Sequence, residues 1–539
     1  MSDKHLLAGG FGFPLGCAVA TVVVLGSAAA GGFAHPVAVL VALAGATAAV
    51  SATTTLPAAL GTAFVSWGLY AGFVVGQLGQ LAVDRSTAVA ALVLASAALV
   101  AVGAMALRRF LGQPPTRIVR IAPPIRGNPR HSVSCSIAGM VWVLGGYQTD
   151  FARNWPRAGL EVSDLVAEVV QETLVDARVD PVAVGVIHVG NAFGQLFTGQ
   201  GQLGGMPATV DDRLWGVPAS RHEAACASGG VAILSAMADL ESGRYDCALV
   251  LGVELEKTVP GDLSAQYLGA AAWVGHEGQQ AKFMWPHMFS LLADEYDRRY
   301  GLDDAHLNAI AELNFRNARS NPNAQTRAWE FGPASFTGDD MANPRVEGRV
   351  RRQQCSQVTD GGAGVVLVSD RHPRAGSAGA ARIEGWGHRT VGLPLQAKFD
   401  RSRDEPYVLP HVRRAVLDAF GRAGIDSVDG IETHDCFAMS EYMAIDHFGI
   451  TEPGESWKAV ENGELERGGR IPVNAGGGLI GGGHPVGATG VRMLLDASRQ
   501  VTGRAGACQI EGARRIGTLN IGGSTTTTVT FVVGSQDGR

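Results

Sequence analysis

The sequence predicts an α/β domain, a parallel sheet covered by helices, preceded by an all-α apolar region of about four helices. Three observations carry this reading. Residues 11–107 hold only two formal charges, Asp84 and Arg85, although the whole chain is 17% charged. From Met140 onward, short apolar runs alternate with amphipathic stretches in a β-α-β rhythm. Glycines crowd around one histidine, His484, just before a stretch of helical periodicity.

A chain of 539 residues is too long for one ordinary core and requires at least two folded units. The net charge of −6 is small, and no basic stripe interleaved with aromatics points to nucleic acid. Seven cysteines are scattered, with no CxxC pair and no His/Cys cluster at zinc spacing. No metal or redox cofactor is called for.

The apolar region contains four runs, at about 11–31, 36–57, 61–83 and 87–107. Each is near the ~20 residues that cross a bilayer as a helix. Pro36, Pro57 and Asp84-Arg85-Ser86 fall between them, and Trp67 and Tyr70 are suited to an interface. Arg108, Arg109, Arg117, Arg120, Arg126 and Arg130 follow the last run, with no acidic residue between Asp84 and Asp150. The positive-inside rule places that end in the cytoplasm. Residues 1–112 are therefore expected to be a multi-pass membrane region contacting lipid, with the following domain cytoplasmic. Residues 113–139, rich in proline and arginine, read as an extended basic linker able to lie on anionic headgroups.

In the second part, Val141-Trp142-Val143-Leu144 reads as a strand and residues 162–177 as an amphipathic helix. Strands follow at 184–190 and 247–253, with a helix opened by Cys226 between them. Residues 271–344 leave the rhythm, holding a helix at 290–300 and a polar stretch at 314–327. Strand character returns at 364–368. A second αβ half holds a helix at 411–423 and strands at 430–433 and 526–533.

Three reactive stretches lie in this part: Cys226-Ala227-Ser228-Gly229, His434-Asp435-Cys436-Phe437 and His484-Pro485-Val486-Gly487-Ala488-Thr489-Gly490. A cysteine at a helix start among small neighbours has room for a substrate to approach, and the helix N-terminus lowers a thiol's pKa. His434 emerges at a strand end, where sites of α/β proteins gather. His484, framed by glycines and Pro485, suits an imidazole that meets a substrate oxygen.

These stretches, in this order, resemble the thiolase superfamily, and most closely its sterol carrier protein class, which carries His-Asp-Cys-Phe. The resemblance runs from about Met140 to the C-terminus. It implies the thiolase fold, a duplicated five-layer αβαβα arrangement, with an N-terminal half at 140–270 and 345–372, an inserted loop domain at 271–344 and a C-terminal half at 373–539. It implies Cys226 as nucleophile, His484 as its activator, and Cys436 as acid/base. His434 and His484 would form one oxyanion hole, and the backbone N–H groups of Cys226 and Gly522 the other. Asp435 would be structural, held by backbone donors. Many thiolases carry a second cysteine near the end; here the matching run is Asn520-Ile521-Gly522-Gly523-Ser524, and Cys436 takes that role. The implied activity is an acyl-CoA C-acyltransferase that cleaves 3-oxoacyl-CoA with CoA or condenses two acetyl-CoA. Coenzyme A is then substrate rather than cofactor, and a homodimer or homotetramer is expected. Competing readings are a ketosynthase, a retro-aldol lyase of steroid or lipid CoA esters, and an inactive membrane-associated acyl-CoA-binding scaffold.

Overall fold

The structure, a computed structural model, describes residues 9–76, 81–82, 84–111 and 139–536. The chain divides into two compact units between His131 and Ser132. The expected basic linker, except Gly139, lies outside the described residues, as does Cys135.

The first unit contains four helices, Gly9–Ala29, Pro36–Ser51, Leu56–Leu69 and Arg85–Leu111, with a wider π-type turn, Tyr70–Val75, extending the third. Proline sits in the first turn of the second and third, where its missing N–H leaves no gap. Asp84 starts the fourth by accepting the Thr87 N–H at 2.9 Å. Small hydroxyls share an interior otherwise filled by apolar side chains such as Leu43 and Leu94, while large apolar side chains also face outward. Thr47, Ser51, Thr54, Thr62, Ser66 and Thr87 are buried, and Thr47 Oγ1 lies 3.0 Å from Ser66 Oγ. Val22, Leu25, Val37, Val41, Phe64 and Leu92 face outward. About four spans were expected, some of them marginal; among the described residues only Leu56–Val75 and Arg85–Ala104 are long and apolar enough to cross a membrane. The second run stops at Ser51 because Pro57 begins a new helix six residues later.

The second unit is built on β1 (Val141–Gln148), β2 (Val186–Gly190), β3 (Ala219–His222), β4 (Cys247–Glu254), β5 (Arg345–Glu347), β6 (Val350–Arg351), β7 (Gly361–Ser369), β8 (Ala381–Thr390), β9 (Gly430–Thr433), β10 (Arg515–Gly522) and β11 (Thr527–Ser535). Nine form one sheet in the order β3-β2-β4-β7-β1-β8-β11-β10-β9, while β5 and β6 pair separately. The sheet is mixed, not parallel as the β-α-β rhythm suggested. Only the β2–β3, β2–β4 and β9–β10 pairs are parallel. For one of the antiparallel pairs the reason is local: a turn too short for a crossover joins β10 to β11, so they must run antiparallel.

The order reads outward from the centre in the same way on both sides. From β1 it runs β7, β4, β2, β3; from β8 it runs β11, β10, β9, and then a single parallel bridge from Ile431 to Val473. This is a duplication in topology that no residue repeat announces. Helices Val162–Ala177 and Pro410–Ala423 cover equivalent strands on the outside. Helices Ser228–Glu241 and Thr489–Val501 pack on the opposite face and against each other.

That central pair approaches through glycine. A Cβ on Gly490 would lie 2.3 Å from the Gly230 nitrogen, and one on Gly229 would lie 2.9 Å from the Gly487 oxygen. Backbone cannot yield there as a side chain would. Gly490→Ala is expected to lower the unfolding free energy by about 1–3 kcal/mol. Gly421→Ala, inside helix Pro410–Ala423 with open space around it, should raise it by about 0.5–1 kcal/mol. Denaturant unfolding of both variants checks the pair.

Candidate active site

Cys226 lies in a tight turn between β3 and the helix beginning at Ser228, two residues before the helix rather than at its first position. Ala225 is left-handed at φ 51°, which costs an alanine about 1 kcal/mol. The turn is clamped to hold it. Ser228 Oγ accepts the Ala224 N–H at 2.9 Å and donates to the Ala225 carbonyl at 2.6 Å, while Glu223 accepts the Ala225 N–H at 2.6 Å. His434 follows β9 directly, and His484 follows Gly483, itself left-handed at φ 112°.

These elements converge. Cys226, His434 and His484 each place a sulfur or nitrogen atom within 4.8 Å of the others. The two imidazoles meet edge to face, with centroids 5.1 Å apart at 85°. Cys226, Cys436 and His484 line a cavity of about 300 Å³ walled by Phe193, Leu268, Trp285, Phe289 and Phe437. The Cys436 sulfur lies 3.8 Å from Ser440 Oγ.

Hydrogen bonds set the two rings in opposite tautomers. Thr489 Oγ1 gives its proton to the Pro485 carbonyl at 3.1 Å, so at 2.6 Å it accepts from His484 Nδ1–H. The bare Nε2 of His484 is then a base. Asn520 Nδ2 donates to the Cys226 carbonyl at 2.9 Å and lies 3.4 Å from His434 Nδ1. A donor facing Nδ1 leaves the ring proton on Nε2, making His434 a hydrogen-bond donor. Cysteine and two imidazoles are also a plausible ligand set for a soft metal, but this tautomer of His434 favours donation over ligation.

The helix N-terminus was expected to lower the thiol pKa; the reverse holds. Burial, then Glu256 and Glu254, push Cys226 up to about 12, against the backbone N–H groups of Gly523 and Cys226 itself. The helix starts too late, and two buried acids stand too near, for a resting thiolate. Burial, helped by Arg492, pushes His484 down to about 3. Burial, then His484 and Arg492, hold His434 well below its usual value. Burial, then Cys226, hold Cys436 well above the usual thiol range. At neutral pH the centre contains two thiols and two neutral rings.

Buried carboxyls hold the loops in place. Glu254 accepts N–H groups from Ala192 at 2.8 Å, Phe193 at 3.1 Å and Gly487 at 3.1 Å. Glu256 accepts that of Val486 at 2.8 Å and lines the cavity. Asp435 accepts the N–H groups of Leu479 at 2.6 Å and Ile480 at 3.0 Å, the structural role expected of it. Beside Gly522, the expected backbone donor, a second N–H approaches the sulfur. Gly522 packs so closely that a Cβ would lie 2.1 Å from the Ala224 oxygen, and the N–H beside the Cys226 sulfur is that of Gly523. Sequence reasoning missed Glu254, Glu256, Thr489 and Asn520. The one signal for the acids was a pair of carboxylates ending an apolar strand.

The fold and this centre define a thiolase, and the chain belongs to the thiolase family. Residues 141–371 match the family signature described as thiolase, N-terminal domain, and residues 397–535 that described as thiolase C-terminal domain-like. Among relatives, an acetyl-CoA acetyltransferase of Methanothermobacter thermautotrophicus is 31% identical over 71% of this chain and 96% of its own. Human sterol carrier protein 2 is 26% identical over 72% of this chain and 71% of its own. The solved Ltp2-ChsH2(DUF35) aldolase shares the fold at a TM-score of 0.59 and 18% identity, over 74% of this chain and 98% of that one.

With Cys226 protonated to about 12, its thiolate fraction grows tenfold per pH unit across the accessible range. Iodoacetamide alkylation of Cys226, followed by peptide mass spectrometry, should therefore rise from about pH 6 to pH 10 without levelling. A plateau near neutrality would mean a resting thiolate–imidazolium pair.

Proposed function

We propose that this chain is an acyl-CoA C-acyltransferase that cleaves 3-oxoacyl-CoA with CoA, or condenses two acetyl-CoA, through an acyl-Cys226 intermediate. The observation that carries the reading is the meeting of Cys226 with two oppositely set imidazoles, beside a cavity that Cys226, Cys436 and His484 line.

In the cleaving direction the Cys226 sulfur attacks the 3-keto carbon while His484 Nε2 takes the thiol proton. The N–H groups of Cys226 and Gly523 stabilise the oxyanion that forms there. The bond between C2 and C3 breaks, and its electron pair passes to the acetyl-CoA enolate. His434 Nε2–H and the protonated His484 hold the enolate oxygen, and Cys436 protonates the carbon. The Cys436 thiolate then deprotonates an incoming CoA, whose sulfur attacks the acyl-Cys226 carbonyl; the shortened thioester leaves, and the expelled Cys226 thiolate regains its proton from His484. Condensation is the same path reversed.

Outward apolar side chains support a second part of the reading: the N-terminal unit lies in a lipid bilayer. Large side chains such as Val37, 73% exposed, and Phe64, 69% exposed, face outward, while hydroxyl groups pair inside. In water this arrangement would leave an apolar surface without cover. Arg108 and Arg109 close the fourth helix, which sets the thiolase unit on the cytoplasmic side. The functional enzyme is a homo-oligomer acting on CoA thioesters.

Cys226→Ser should reduce thiolysis of 3-oxoacyl-CoA by free CoA by about 10³-fold or more and abolish the acyl adduct seen by mass spectrometry. Full thiolysis without Cys226 would favour a lyase that needs no acyl-enzyme. The full chain should remain with membranes through an alkaline carbonate wash, whereas a chain starting at Met140 should stay in the supernatant and turn over. Recovery of the full chain in the soluble fraction would remove the bilayer from the account.

A further inference from the structure

The turn joining β10 to β11 carries the Gly523 N–H that faces Cys226. Gly523 and Thr525 are both left-handed, at φ 62° and 61°. A turn with a threonine in that region persists only when its surroundings hold it. What holds it is a buried amine. Lys398, 6% exposed in helix Leu395–Arg401, donates from Nζ to the Ser524 carbonyl, to Ser524 Oγ at 2.9 Å and to Thr526 Oγ1 at 3.0 Å. The Leu393 carbonyl, at 3.1 Å, accepts as well. His411 Nε2 meets the Thr525 carbonyl at 2.9 Å from a second helix. Burial pushes the Lys398 amine down to about 7, with Glu277 opposing. Removing a lysine from water is costly, and no step of the transfer reaction consumes its proton.

We propose that Lys398 is a positioning residue for acyl transfer: by gripping the oxygens of Ser524 and Thr526 it fixes the Gly523 N–H against the thioester carbonyl of acyl-Cys226. This rests on Cys226 being the acylated group. The amine acts through the turn and does not touch the substrate. No sequence motif marks it, because the lysine and the turn it holds are more than a hundred residues apart.

The test is Lys398→Met in the full chain, which keeps the apolar stem and removes the donors. Two quantities are read: the steady-state constants for thiolysis, and the carbonyl stretch of a ¹³C-labelled acetyl group on Cys226. A single oxyanion donor is worth about a hundredfold or more in kcat. Lys398→Met is expected to lower kcat by about a hundredfold, leave the KM for CoA within about twofold, and move the carbonyl stretch to higher frequency. Ser524→Ala with Thr526→Val, which removes two of the acceptors, should show the same shift with a smaller loss. A folded Lys398→Met protein with wild-type kcat and an unmoved stretch overturns the proposal. Loss of folding in both variants also overturns it, because the cluster would then serve stability alone. Absence of an acyl adduct in the wild type overturns the nucleophile reading itself, and is distinguishable because it appears before any substitution is made.

Discussion

The approach of Gly229 and Gly230 to Gly490 sets the distance between the two central helices, and the reaction centre depends on that distance. Cys226 stands just ahead of one helix and His484 just ahead of the other. Side chains at the crossing would push the helices apart and separate sulfur from imidazole. Asn520 ties the crossing to the rest of the centre. It lies on β10, bonds the Cys226 carbonyl and faces His434, while its own carbonyl oxygen sits close above the two glycine backbones. One polar side chain thus connects the nucleophile turn, the donor imidazole and the helix contact.

The centre is built to hold protons. Burial, with Glu254 and Glu256 nearby, keeps the Cys226 thiol intact, and burial keeps both rings neutral. In the proposed reaction charge separates only as the carbon–sulfur bond forms, where backbone N–H groups and His434 would meet the oxygens that become negative. Arg492 stands behind the rings, with Nη1 at 3.2 Å from Glu432 and 2.7 Å from Asp496, and its charge helps keep both imidazoles unprotonated. A resting thiolate would be the more reactive sulfur towards any electrophile; a resting thiol waits for a substrate that can accept the attack.

Much of this was legible in the sequence where a residue's role is local. Helix Val162–Ala177 and strand Gly430–Thr433 follow from periodicity and stand where expected. The reactive stretches around Cys226, His434 and His484 are each contiguous, so three short segments identify three of the four groups, and Cys436 comes with His434. What escaped were properties that arise only when distant segments meet. The thiol pKa was misjudged because burial, and then Glu256 and Glu254, raise it, and all three arise only when distant segments meet. Strand β10 was not among the expected strands; Thr518 and Asn520 interrupt its apolar run, although it is buried between β9 and β11. The apolar region gave its four helices readily, but their lengths depend on where each is capped.

The mirrored strand order carries a last consequence. The residues after β2 and β9 are Asn191 and His434, and the residues ahead of the two central helices include Cys226 and His484. Each catalytic group thus has a counterpart position in the opposite half. The two halves repeat one frame of strands and helices, yet the side chains at matching positions differ, with Asn191 after β2 and His434 after β9. The frame of the cleft is therefore symmetric while its chemistry is not.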